Sequence, residues 1–228
     1  MRAVTMQDAK LTVAMIADPV PGPGEVLVDV LACGICGTDL HCAAHGPELN
    51  AATKGAAGIE LMDLSRPIVF GHEFVGRVVS YGPGTEARIP VGRRVVSMPV
   101  LPREQPVMLG FAGRETPGAY AERMVLSEPL LIEVPDHVST EVAALTEPLA
   151  VAYRTVARAE LASNDGPLVV GCDYTPQEFA QTFAQLAAGE LDAAALLTGT
   201  VGFDGVADAF ERLGNSPSDA KILIDPSR

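Results

Sequence analysis

Basic residues are scarce in this chain: across 228 residues, 16 Lys and Arg face 29 Asp and Glu, a formal net charge of −13. Such a field repels phosphate backbones, and no basic stripe with interleaved aromatics offsets it, so nucleic acid is excluded as an expected partner. No run reaches the roughly 18 uninterrupted apolar residues of a membrane span, and the opening MRAVTMQDAKLTVAM lacks a basic segment followed by an apolar one. The expectation is a soluble, cytoplasmic protein with no membrane partner. Cysteine is sparse too. Three of the four, Cys33, Cys36 and Cys42, crowd into ten residues while Cys172 lies far off, a spacing unlike a secreted disulfide framework. No repeat or low-complexity tract occurs, and no GxGxxG; the two GPG stretches lack its third glycine and sit in hairpin-like turns.

What is present is enough apolar residue, 48% of the chain, to build a substantial core, with 22 glycines and 18 prolines that favour short strands and tight turns. VTM and LTVAMI can pair as an opening hairpin, and EVLVDVLA, from Glu25 to Ala32, reads as a buried strand that delivers the chain to Cys36. Residues 43–66 are irregular and read as a loop holding at most one short helix. IVFGHEFVGRVVSYGPG is a strand interrupted at Gly71 and His72, GRRVVSMPV another, and GAYAERMVLSEPLLIEVP two more with a turn between them. Strands of this length with glycine-rich corners predict a mainly β fold, a small and partly open barrel with flanking helices.

From Ser139 the period becomes helical through STEVAALTEPLAVAYRTVARAEL, with Ser139 or Thr140 as cap and Pro148 marking a break or fresh start. GPLVVG, residues 166–171, is a short apolar strand. Next comes a strong helix signal: Thr175 as N-cap, Pro176 at the first position, Glu178 completing a capping box, and Phe179, Phe183 and Leu186 on one face. FDGVADAFERLGN gives a second helix, presenting Val206, Phe210 and Leu213 and stopping at Gly214, and KILIDP a final strand.

The chemistry-bearing stretches are GICGTDLH, residues 34–41, and GHEFVG, residues 71–76. Cys36 and His72 stand at two strand ends and can supply a thiolate and an imidazole, two of the three protein ligands that a catalytic zinc takes. Cys33, Cys42, Glu73 and Glu147 are candidates for the third, and spacing does not choose among them. Each has a plainer structural role, since cysteine is a common small core hydrophobe and His72 fits a hydrogen-bonded core position.

PGPGEVLVDVLACGICGTDLH, then GHEFVGRVV, then TEPLAVAYR resemble the zinc-dependent medium-chain alcohol and polyol dehydrogenases, whose catalytic domain is a GroES-like barrel. The likeness covers nearly all of residues 1–172 and 173–228. It implies a catalytic domain over 1–165 and a C-terminal part, 173–228, whose helices and strand pack back on it. It also implies metal ligation by Cys36, His72 and Glu147, with Glu73 a carboxylate close to the metal that exchanges with its water. Asp39 then orients the ligand imidazole. Thr38 would touch the substrate hydroxyl and His41 would end a proton relay to solvent; their plainer roles are a turn cap and an exposed histidine. The implied cofactors are one catalytic zinc and NAD or NADP, and the implied substrate is a small alcohol or polyol. No structural zinc is expected, because VVSMPVLPREQPVMLGFAGRETPG, where many relatives carry four cysteines, has none.

A larger departure concerns the nucleotide-binding domain, a doubly wound parallel sheet in this family. GPLVVGC resembles the first strand of that sheet, a remnant at 166–172, yet DYTPQEFAQTF resembles the point where the family's chain returns to the catalytic domain. Roughly 120–130 residues are missing at the Cys172 to Asp173 junction by the size of the domain in the family, so no complete Rossmann sheet is expected. Deletion of the domain, joining of two stretches of a longer chain, or a natural single-domain descendant would each produce this. Unbroken family wording on both sides favours the first two. The corresponding functional expectation is the catalytic portion of a dehydrogenase, inactive alone; the alternative is a non-catalytic zinc-binding or scaffold module.

Overall fold

The computed structural model describes residues 1–58, 61–113, 115–158 and 174–228. In chain order the elements are β1 (Arg2–Gln7), β2 (Lys10–Met15), β3 (Glu25–Gly34), α1 (Gly37–Ala57), β4 (Glu73–Tyr81), β5 (Arg94–Val96), β6 (Val100–Leu101), β7 (Val107–Met108), β8 (Arg123–Ser127) and β9 (Ile132–Glu133). There follow α2 (Thr140–Ala143), α3 (Thr146–Arg158), α4 (Pro176–Ala187), β10 (Leu197–Val201), α5 (Val206–Asn215) and β11 (Lys221–Ile224).

β3 organises the fold. Its whole length pairs with β4, its first half also with β8, and its last two residues with β11, within a sheet ordered β10-β11-β3-β4-β5-β9. Register shifts between Leu27 and Val28 and between Val30 and Ala32 break the β3–β4 ladder twice, and such bulges bend and twist a strand pair. The sheet therefore curls without closing, as the partly open barrel requires. Alternation along the strands divides the core in two. Val26, Val28 and Val30 of β3, Phe74 and Val78 of β4, and Ile222 and Ile224 of β11 face one cluster around Phe70, Tyr120 and Met124. Ala32, Val75 and Leu223, from the opposite faces, meet Leu145 and the α4 side chains Phe179, Phe183 and Leu186. By this packing the described part of the C-terminal segment, 174–228, is built into the same body as the N-terminal strands.

The opening hairpin pairs β1 with β2 through a two-residue turn at Asp8 and Ala9, both with positive φ, as a type I′ turn demands. α4 starts as its sequence predicts: the Thr175 side chain accepts from the Glu178 amide at 3.2 Å while the Glu178 carboxylate accepts from the Thr175 amide at 2.8 Å. Thr175→Ala is expected to cost about 1 kcal/mol. In a chain of this size that lowers the melting temperature by about 2–4 °C, a shift readable by thermal denaturation; an unchanged melting point would count against the box as a stabilising contact.

Two elements differ from the sequence reading. Residues 43–66 are not mainly loop, because α1 runs from Gly37 to Ala57 with a break at His45 (φ −133°, ψ 29°). Pro47 explains both the break and the continuation, since a proline ends one helical run and suits the first turn of the next. Asn50 then ties the following segment back, donating to Met62 O at 2.6 Å and accepting from Met62 N at 3.0 Å. The second difference is β10, whose glycine- and threonine-rich LTGTV gives little apolar signal yet pairs parallel with β11. That is the sole parallel pair among the described residues, so no Rossmann sheet is present there. The strand expected at 166–171, the last turn of the helix expected through 161, and the Cys172–Asp173 junction lie outside the described residues. No helix among them is long and apolar enough to cross a membrane.

Candidate metal centre

β3 and β4 place the two principal side chains. The chain leaves β3 through Gly34 and Ile35, and Cys36 becomes the N-cap of α1, its sulfur accepting from the Thr38 amide at 3.4 Å. Asp39 completes the box by accepting from the Cys36 amide at 3.0 Å. His72 sits just before β4, preceded by Gly71 at φ +99°, where a β-carbon would stand 2.9 Å from Tyr120 N and 2.9 Å from Cys33 Sγ. Only glycine fits there, and the tight approach sets the imidazole against α1.

The Cys36 sulfur, a His72 ring nitrogen and a Glu73 carboxylate oxygen lie within 4.8 Å of one another, the one such triplet among the described residues. Asp39, fully buried, accepts from Tyr120 Oη at 2.7 Å through the oxygen that also caps the helix. Its other oxygen is 3.4 Å from His72 Nδ1, and neither atom has a completed hydrogen bond. Burial works against charge on the imidazole, but Asp39, with Cys36 and Glu147 adding to it, holds His72 well above the ordinary histidine value. Phe111 stacks on the ring at a centroid distance of 5.5 Å.

Glu73 heads β4 and is almost wholly buried, with both carboxylate oxygens accepting from Lys221 Nζ at 2.7 and 2.8 Å. Glu147 lies outside the triplet but lines the same cleft as Cys36 and His72, from the first turn of α3. Its Oε1 accepts from Tyr174 Oη at 2.8 Å, and burial pushes its carboxyl up to about 7, with His72 pulling the other way. The structure thus gathers Glu73 where the family resemblance puts Glu147. Thr38 lines the cleft, its hydroxyl 3.5 Å from Cys36 Sγ, and His41 is exposed on α1 beside His45. Cys33 and Cys42 belong to the core; burial pushes both thiols up, Cys42 to about 11. The cleft encloses about 500 Å³, and Met98, Val100, Met108 and Val151 make its wall apolar.

The donor set fits a zinc ion. Sulfur and imidazole are borderline-soft ligands, carboxylates are within reach, and a metal on the other nitrogen of His72 would fix the tautomer in which Nδ1–H donates to the waiting Asp39 oxygen. Sequence reasoning missed Tyr120, Tyr174 and Lys221. Each reaches its partner across 27 to 148 residues of chain, with no local pattern to reveal it.

The alcohol dehydrogenase GroES-like domain pattern matches residues 22–136. The chain is 36% identical over 183 residues to the (R,R)-butanediol dehydrogenase of Bacillus subtilis strain 168, covering 75% of this chain and 51% of that protein. It is 35% identical over 173 residues to the erythritol/L-threitol dehydrogenase of Mycolicibacterium smegmatis, covering 69% and 46%. The crystal structure of the 2R,3R-butanediol dehydrogenase from Bacillus subtilis superposes with a TM-score of 0.75 at 20% identity, across 99% of both chains. The chain spans about half the length of the curated relatives it matches.

Proposed function

Because the chain belongs to the alcohol dehydrogenase GroES-like family, the zinc-dependent medium-chain alcohol and polyol dehydrogenases, we propose that it is the metal-binding catalytic portion of an enzyme that oxidises a small alcohol or polyol with NAD or NADP. The observation that carries this reading is that Cys36 and His72 meet where they line an apolar cleft together with Glu147, with Glu73 beside the pair and Asp39 behind the imidazole.

Cys36, His72 and Glu147 would hold one zinc. When bound, zinc supplies the positive charge that lowers the pKa of a substrate hydroxyl. The remaining work falls to side chains. Asp39 holds the imidazole in one tautomer, and the apolar wall excludes water from the carbon that loses hydride. Thr38, which lines the cleft, would accept the substrate's hydroxyl proton as it gives up its own, and His41, one helical turn later at the exposed surface, would hand a proton to solvent. A structural zinc has no cysteine ligands in residues 95–118.

Hydride transfer needs the nicotinamide held against the substrate carbon, a placement the family assigns to its nucleotide domain and one worth several orders of magnitude in rate. The expected outcome for the purified 228-residue chain is about one zinc by elemental analysis and no nicotinamide-dependent oxidation of butane-2,3-diol or erythritol. A zinc-free chain after expression with zinc supplied would sink the metal-centre reading; robust NAD reduction would sink the assignment of this chain as an incomplete catalytic unit.

A further inference from the structure

Two buried glutamates border the Cys36–His72 pair, and the structure treats them differently. Glu73 is the nearer, yet both of its oxygens are held by Lys221 Nζ, at 2.7 and 2.8 Å, and the same ammonium donates to Ile35 O at 3.0 Å. Three acceptors use all three protons of the ammonium, so its position is fixed. Glu147 has only a neutral phenol on Oε1; among the described residues no cationic side chain bonds it. A buried carboxylate is held in its charged form most firmly by a cation bonded directly to it. Among the described residues Glu73 has an ammonium bonded directly to it, whereas the cationic groups near Glu147, His72 and Lys221, act on it without a hydrogen bond.

Gly34 supplies a second, independent observation. A β-carbon there would stand 2.1 Å from Glu73 Oε2 and 3.2 Å from Glu73 Cβ, so the carboxylate occupies the volume that any side chain at 34 would fill. β11, pairing Leu223 with Gly34, sets Lys221 beside this berth. The berth and the ammonium together keep Glu73 in place.

Building on the metal-centre reading above, we propose that Lys221 is a positioning residue that holds Glu73 off the metal, so that Glu147 becomes the third protein ligand and one coordination position stays open. The distinction matters chemically, because three protein ligands leave a position for substrate, whereas four make a closed, structural type of site. Removing the ammonium charge leaves Glu73 buried without its cation, and the metal becomes the replacement.

The test uses the full chain loaded with cobalt(II), read by its visible absorption, by competition against a chelator and by titration with imidazole. Lys221→Met is expected to shift the absorption bands, tighten cobalt binding by about tenfold and abolish the response to imidazole. Lys221→Arg is expected to keep the parent spectrum, and Lys221→Met combined with Glu73→Gln to return to it. A Lys221→Met chain with the parent's spectrum and affinity, or a shift that persists in the double variant, overturns the proposal. Should Lys221→Met fail to fold, Glu73→Gln alone decides: parent-like cobalt binding supports the proposal, and loss of cobalt makes Glu73 a ligand and overturns it. A parent chain that binds no cobalt defeats the metal-centre reading itself, an outcome distinct from failure of the Lys221 assignment.

Discussion

His72→Ala is expected to strip the chain of zinc, from about one ion to none detectable by elemental analysis, with an affinity loss beyond 100-fold. The scale follows from the ligands' supports: losing an outer partner costs 10–100-fold, so losing a ligand costs more. His72 is nine-tenths buried among Asp39, Phe111 and Cys36, and the neighbouring carboxylate of Glu73 is bonded by Lys221, so loss of the imidazole is not expected to be made good. Truncation leaves an Asp39 oxygen facing a void, and a general loss of structure could imitate loss of ligation. Cys36→Ser separates the two. Serine is a good helix N-cap and keeps the α1 start that Cys36 now provides, while the soft sulfur donor is gone. Both variants should lose zinc, and Cys36→Ser should melt within a few degrees of the parent. Retention of a full zinc equivalent by either variant would show that the ion binds elsewhere.

The second large effect is expected at Asp39, which serves three partners at once: the Cys36 amide, the Tyr120 hydroxyl and the His72 ring. Asp39→Ala removes a capping interaction worth about 1 kcal/mol and leaves the wholly buried Tyr120 hydroxyl unpaired at about 1–3 kcal/mol, for a total loss of about 3 kcal/mol in denaturant unfolding. Zinc affinity should fall 10–100-fold alongside. Tyr120→Phe is the control, because it removes the hydroxyl and its need for a partner together. It should cost about 1 kcal/mol and leave zinc binding close to the parent's. If Asp39→Ala unfolds like the parent and binds zinc as tightly, the carboxylate is not the link between the helix start and the imidazole.

The sequence showed most of the framework because its signals are local. The β1–β2 hairpin, the capping box at Thr175 and Glu178, and the buried alternation of β3 are each written within a few residues, and each stands in the structure as predicted. α1 was under-read because Pro47 and the glycines within 43–66 look like loop chemistry, while the Cys36 cap and a proline-started second segment carry the helix through. β10 escaped because two threonines and a glycine pair with β11 on backbone hydrogen bonds, with little apolar side chain to announce them. At the candidate metal centre, the stretches that carry Cys36, His72 and Asp39 stood out in the sequence, and the structure brings the three side chains together. The surroundings of Glu73 and Glu147 did not stand out, because their partners, Lys221 and Tyr174, enter from distant chain.

That entry has a consequence for how the molecule is made. Cys36 and His72 precede these partners in the sequence: the Glu147 partner comes with Tyr174 and the Glu73 partner with Lys221, the latter closing 148 residues of chain. Contacts of such long sequence separation form late. The nascent N-terminal strands therefore pass through a stage in which a thiol, an imidazole and two unsecured carboxylates are all present with nothing to rank them. On the proposed assignment β11 brings the ammonium that ranks them, so the choice of metal ligand would belong to a late stage of folding and not an early one.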